Sequence, residues 1–246
     1  MKHIPNIITL LNLLSGSLAV VFALQGYPAF ASVLVMAGFL FDFLDGFSAR
    51  LLKVQSAIGK ELDSLADVIT FGLAPAAILF GIQLELAGGA GFSADKPLGI
   101  ILISLIPFLL PVFAGLRLAM FNIDERQTTR FIGLPTPANG IMVLALPLVM
   151  KFQPDSFLVS WLESGFFIPA YSILVSWLMV SPVRLFSLKI KGLKWVDNRF
   201  TFLFLAIALI LILVLGYTGI FLTIPCYILY AGVLDTIETR RHSSIH

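Results

Sequence analysis

Charge is scarce in this sequence. Only 12% of its 246 residues are Asp, Glu, Lys or Arg, about half the share usual in a soluble domain. Its long apolar stretches carry no polar face of helical period, which excludes a water-soluble helix bundle. Cysteine is nearly absent: Cys226 stands alone inside an apolar stretch, so neither a disulfide framework nor a cysteine metal site can be built. The three histidines, His3, His242 and His246, sit at the two ends of the chain, where loose termini are the better reading than ligands. The net charge of +2 says little by itself, and nothing in the sequence marks a nucleic-acid partner.

What is present is apolar: 59% of the residues are hydrophobic and the mean hydropathy is +0.99. Eight candidate membrane spans follow, at about 5–25, 28–52, 62–83, 98–121, 134–151, 165–186, 200–216 and 218–236. The run 156–163 is too short to span and is expected at the interface. Pro5, Pro28, Pro97 and Pro135 stand at or near helix starts, where a missing N–H costs nothing. The first apolar run is interrupted by Asn6, Thr9, Asn12 and Gly16, with no small-residue cleavage pattern after it, so it is expected to be the first mature span rather than a signal peptide. The expected fold is all-α, a polytopic membrane protein of about eight transmembrane helices. It forms one integral membrane domain over 1–246, with a hairpin at 41–71 and C-terminal spans over 134–236.

The few charges are not evenly placed. The loops after the second, fourth and sixth spans, together with the termini, hold fourteen of the sixteen Lys and Arg residues; the opposite loops hold Lys96 and Lys151. This bias puts both termini, and the loop from Arg50 to Lys60, in the cytoplasm. The membrane expected is the cytoplasmic membrane.

Four aspartates flank that loop. Asp42 and Asp45 are three apart near the end of the second span, and Asp63 and Asp67 are four apart near the start of the third. Each pair shares a helix face, and a short loop makes the two helices neighbours, so the pairs can converge. An unpaired charge at membrane depth costs about 2.5–3.5 kcal/mol, so the carboxylates need protons, basic partners or metal. Arg50, Lys53 and Lys60 cluster in the loop instead. An oxygen-only ligand set without Cys or His suits Mg²⁺, Mn²⁺ or Ca²⁺ and disfavours Zn²⁺. Gly46, Ala49 and Gly59 leave space for a second helix or a flat ligand, and Arg50 is suited to clamping a phosphate. Such a set serves phosphoryl transfer; a structural ion-pair network and the cation path of a transporter remain open on spacing alone.

The stretch DFLDGFSARLLKVQSAIGKELDSLAD, residues 42–67, resembles the signature of the CDP-alcohol phosphotransferases. The pattern is D-x-x-D-G-x-x-A-R, about eight residues, then G-x-x-x-D-x-x-x-D, and it is met at Asp42, Asp45, Gly46, Ala49, Arg50, Gly59, Asp63 and Asp67. PNIITLLN (Pro5–Asn12) is similar to the first span of that family. GLRLAMFN (Gly115–Asn122) and FIGLPTPAN (Phe131–Asn139) are similar to its serine-using branch, although Met120 stands where members often carry a second basic residue. The resemblance implies CDP-diacylglycerol as donor and L-serine as acceptor, with phosphatidylserine and CMP as products. It implies two divalent cations, Mg²⁺ or Mn²⁺, held by Asp42, Asp45, Asp63 and Asp67, with Asp67 also the catalytic base. It implies a CDP site lined by Gly46, Ala49, Arg50, Ser56 and Gly59 and closed by Asn6 and Thr9, a membrane-lipid setting, and a homodimer.

An amino-acid acceptor needs a cation for its carboxylate. Arg117 and Arg130 are the candidates, with Asn122 and Thr136 beside them; ordinary cytoplasmic anchoring is the plainer account of these arginines. Glycerol 3-phosphate, inositol phosphate and choline are the alternative acceptors. A divalent-cation transporter is the non-enzyme alternative, and it would require ionisable residues along several spans.

Overall fold

The structure, a computed structural model, describes residues 3–54, 56–88, 97–123, 130–186 and 195–243. Helices α1 (Ile4–Leu24) and α2 (Pro28–Leu52) form an N-terminal hairpin. Helix α3 (Ala57–Asp67) runs through a π-turn at Val68–Leu73 into α4 (Ala74–Leu86). Then come α5 (Leu98–Ser104), a 3-10 turn, and α6 (Leu109–Ile123). The C-terminal part comprises α7 (Thr136–Phe152), α8 (Phe157–Glu163), α9 (Phe167–Val180), α10 (Trp195–Leu215) and α11 (Tyr217–Ser243). Two three-residue strands, β1 (Arg130–Ile132) and β2 (Arg184–Phe186), pair antiparallel with Phe131 opposite Leu185. This ribbon is the one addition, among the described residues, to an otherwise helical fold.

Five helices are long and apolar enough to cross a membrane: Ile4–Leu24, Pro28–Leu52, Ala57–Leu86, Leu98–Ile123 and Asn198–Leu215. They coincide with five of the expected spans. A sixth counts if α7 and α8, bent by 103° at their junction, are taken as one broken span. The expected count of eight is therefore not reached by length and composition. The expected span 165–186 is helical only over Phe167–Val180, because the chain turns extended at Ser181 and enters β2. The last expected span corresponds to the shorter apolar stretch Tyr217–Val233.

Helix α1 is built inside out relative to a soluble helix. It buries Thr9, Asn12, Ser15, Gly16, Ala19 and Ala23, and exposes Ile7, Leu10, Leu14, Leu18 and Val21. In lipid, large apolar side chains lose nothing by facing outward, while small and polar ones permit close helix packing. The reverse holds for α4, which is apolar all round and buries Ala74 through Phe80 without a gap; such a helix belongs in the interior. The window around α3 and α4 is 72% buried, against 22–33% for the other four long helices. The helix that carries Asp63 and Asp67 at its start is thus the central post of the fold.

Candidate functional site

The site is assembled where α1, α2 and α3 meet. Helix α2 ends at Leu52, and Lys53 caps it in the left-handed conformation with φ of 52°. The chain then turns into α3, whose first N–H groups are capped by Ser56: Gly59 N donates to Ser56 Oγ at 2.9 Å. Helix α1 packs against both α2 and α3, which make little backbone contact with each other.

Oxygens of Asp42, Asp63 and Asp67 lie within 4.8 Å of one another. Asp45 is not part of this group. It accepts a hydrogen bond from Thr9 Oγ1 at 2.6 Å, and Thr9 Oγ1 also reaches Pro5 O at 3.0 Å. Spacing alone made Asp42 and Asp45 one pair. Three residues advance a helix by about 300°, which leaves the two side chains about 60° apart; α1 packs on the Asp45 side of that gap. The carboxylates thus stand as a triad with a fourth member held by α1.

A cavity of about 550 Å³ opens beside the carboxylates, within the range usual for small-molecule sites. Asn6, Thr9, Gly46, Ala49, Ser56 and Gly59 line it together with Asp45 and Asp63. These are six of the seven residues expected on the nucleotide side. The seventh, Arg50, lines an adjoining cavity of about 440 Å³ with Ala49, Lys53 and Val54. Its guanidinium stays close to the first cavity, since a Cβ placed on Gly46 would fall 3.4 Å from Arg50 Nη1. Gly59 is required by a close approach: a Cβ there would fall 2.8 Å from Ser56 Oγ and 2.9 Å from Asn6 Oδ1.

The acceptor-side candidates are less gathered. Arg117 on α6 is buried, at 7% exposure. It acts on Asp67 electrostatically, its Nε has no hydrogen-bond partner, and its guanidinium lies 5.7 Å from the centre of the Phe121 ring. Asn122 is engaged in holding α6 to α3: its Nδ2 donates to Ser64 Oγ at 2.9 Å, and its carbonyl accepts from Lys60 Nζ at 3.0 Å. Thr136, at the first turn of α7, is fully buried with no partner for Oγ1 and lines neither cavity. Arg130 lies in β1, with its side chain outside the described set, and Arg126 lies outside the described residues. Lys60 went unnoticed as a site residue in the sequence, where it counted only as a loop cation. It lines the larger cavity one position after Gly59, and its place on the first turn of α3 is the signal that would have marked it.

The donor set fits a hard divalent cation. Three carboxylates converge, and among the described residues no salt bridge neutralises them. Asp67 Oδ1 is buried without a hydrogen-bond partner, an unsatisfied acceptor of the kind that costs about 1–3 kcal/mol or more unless something binds it. Every ligand atom offered is a carboxylate oxygen, as Mg²⁺ and Mn²⁺ prefer.

Comparison with known proteins agrees with this chemistry. A Mycobacterium leprae protein named CDP-diacylglycerol–serine O-phosphatidyltransferase is 34% identical over 190 residues, which is 74% of this chain and 58% of the relative. The Mycobacterium tuberculosis protein of the same name is 33% identical over 74% of this chain and 60% of its own length. The chain therefore spans somewhat under two thirds of these mycobacterial relatives. A Bacillus subtilis protein, again of that name, is 33% identical over 184 residues, covering 75% of this chain and 90% of the relative. The sequence profile described as CDP-alcohol phosphatidyltransferase matches residues 2–235. That span takes in the carboxylate triad, the cavity beside it and the helices that hold them, and the chain belongs to the CDP-alcohol phosphatidyltransferase family.

Proposed function

We infer that this chain transfers the phosphatidyl group of CDP-diacylglycerol to the hydroxyl of L-serine, giving phosphatidylserine and CMP. The observation that carries this reading is the convergence of Asp42, Asp63 and Asp67 beside a cavity lined by the small residues of the signature. The serine acceptor is supported by the names of the relatives, among them the Bacillus subtilis protein.

In this reading Asn6, Thr9, Gly46, Ala49, Ser56 and Gly59 hold the nucleotide, with Arg50 on a phosphate. Asp42, Asp45, Asp63 and Asp67 are the residues that would hold two divalent cations, Mg²⁺ or Mn²⁺, which when bound offset the carboxylate charge and polarise the pyrophosphate. Asp67 Oδ1 takes the proton of the serine hydroxyl. The serine oxygen forms a bond to the β-phosphorus, the one bearing diacylglycerol. The bond from that phosphorus to the bridging oxygen breaks, and CMP leaves with the electron pair. Arg117, buried next to Asp67, orients the acceptor carboxylate, with Arg130, Asn122 and Thr136 as further candidates on that side. The whole chain acts as one membrane domain, its active site and termini on the cytoplasmic side of the cytoplasmic membrane.

A transporter reading finds less support. The described middle turns of α7, α9 and α10 carry no Asp, Glu, Lys or Arg, and an ion path across the membrane needs them. The deciding experiment incubates the purified protein with CDP-diacylglycerol and radiolabelled serine, glycerol 3-phosphate, inositol phosphate or choline, with and without Mg²⁺ or Mn²⁺. CMP release with serine and metal is expected. Turnover with another acceptor alone would reassign the substrate, and no turnover with any acceptor would sink the enzyme reading. In the same assay Arg117→Ala is expected to raise the serine KM; an unchanged KM removes Arg117 from the acceptor site.

A further inference from the structure

Phe71 lies inside the π-turn, four residues past Asp67, and is fully buried. Pro75, four residues on, has no N–H with which to close the α-helical bond to the Phe71 carbonyl. The neighbouring Ala74 N–H bonds to Ile69 O, the five-residue step of a π-turn. A partner for the Phe71 carbonyl comes from another helix: Asn139 Nδ2 on α7 donates to Phe71 O at 2.8 Å. Tyr171 OH on α9 in turn donates to Asn139 Oδ1 at 3.0 Å. A tyrosine hydroxyl on the oxygen end of the amide leaves the NH₂ end turned to Phe71. The approach of α7 depends on Gly140, where a Cβ would fall 2.9 Å from Phe71 Cδ1 and 3.2 Å from Phe39 Cε2.

The opposite side of the turn is held as well. Thr70 Oγ1 donates to Asn12 O at 3.0 Å, and Thr70 fits only because Gly16 and Gly38 present no Cβ to it. The segment that follows Asp67 is therefore gripped from α1 and from α7. Asp67 Oδ1 itself has no hydrogen-bond partner, so the backbone of this turn contributes to the direction in which it points. Loss of the Asn139 hydrogen bond to this buried carbonyl would loosen the turn.

We propose that Asn139, oriented by Tyr171, is a positioning residue for Asp67: it anchors the Phe71 carbonyl to α7, and so fixes the π-turn that aims Asp67 into the carboxylate triad. The proposal rests on the role given to Asp67 above. It adds one residue from α7 and one from α9 to the support of the carboxylate triad.

The test uses the full-length protein in detergent or nanodiscs. Three quantities are measured: the Mn²⁺ dissociation constant by electron paramagnetic resonance, kcat and KM for CDP-diacylglycerol, and the melting temperature. Asn139→Leu is expected to weaken Mn²⁺ binding about tenfold and lower kcat about tenfold, with KM for CDP-diacylglycerol within about twofold. Tyr171→Phe is expected to move both in the same direction by about threefold. Pro75→Ala, added to Asn139→Leu, supplies the N–H that an α-helical register would give to the Phe71 carbonyl; the melting temperature recovers while Mn²⁺ binding stays weak. Folded Asn139→Leu with unchanged Mn²⁺ binding and kcat overturns the proposal, and so does recovery of both properties in the double variant. If Asn139→Leu does not fold, Tyr171→Phe, which loses one hydroxyl, decides on the same criteria. Wild-type protein that binds no Mn²⁺ overturns the proposal together with the carboxylate site. Wild-type protein that binds Mn²⁺ but turns over no acceptor sinks the enzyme reading alone, and the Mn²⁺ constants of the variants still judge Asn139.

Discussion

Asp67 is the most buried member of the triad, at 8% exposure, and the one whose Oδ1 has no hydrogen-bond partner. Those two properties suit a group that must take a proton from an incoming hydroxyl in a site shielded from water. Asp67→Asn keeps the size of the side chain and removes the proton acceptor. Turnover is expected to fall by about 10²–10⁴-fold, while CDP-diacylglycerol binding, measured by displacement of a labelled donor, is retained. Near-normal kcat in that variant would show that the base lies elsewhere. The identity of the carboxylates was legible from their spacing in so apolar a chain. That Asp45 pairs with Thr9 was not, because the partner lies on another helix and nothing in local periodicity chooses between neighbours.

At the scale of elements, the ends of the first three helices follow local sequence, but α2 and α3 are joined through α1, which packs on both, rather than packed on each other as their short connection led one to expect. Proline marks the starts of α1 and α2, and Ser56 caps α3. Gly59 is where two helices meet: the missing Cβ leaves room for Asn6 from α1 and for the capping hydroxyl of Ser56. Gly59→Ala raises helix propensity by about 1 kcal/mol, and the two atoms it displaces are the ends of movable side chains. Displacing the Ser56 hydroxyl weakens the cap on α3 by a similar amount, so the melting temperature is expected to change little. KM for CDP-diacylglycerol is expected to rise about fivefold as Asn6 is pushed from the cavity wall. A lowered melting temperature with unchanged KM would make Gly59 a packing residue only. The π-turn was hidden in the sequence, since Val68–Leu73 is as apolar as its neighbours and reads as part of one uninterrupted span. Pro75 was its single local sign, and a proline near a helix start has an ordinary explanation as well.

For the whole molecule, the proposed orientation rests on the uneven placement of Lys and Arg. In a Cys226→Ala background the protein has no native thiol, so a single introduced cysteine reports its own side of the membrane. A membrane-impermeant maleimide applied to intact cells is expected to label Lys151→Cys, and to label Lys53→Cys only after permeabilisation. The opposite pattern would invert the topology and put the carboxylates on the outer face. The count of spans was less legible. Hydropathy yields eight apolar runs, but those at 134–151, 165–186 and 218–236 form α7, α9 and the apolar part of α11, each shorter than the five long helices.

The sequence by itself determined that this chain is helical and apolar, where its long helices lie, and that four carboxylates and their small-residue companions stand at the ends of α2 and α3. These depend on local composition, helical period and short spacing. Only the tertiary structure decided that three carboxylates converge while the fourth is held by Thr9, that Lys60 joins the cavity wall, and that Asn139 reaches the turn after Asp67. Those depend on how helices distant along the chain rotate against one another, which is set by packing across their faces and by no stretch of sequence taken alone.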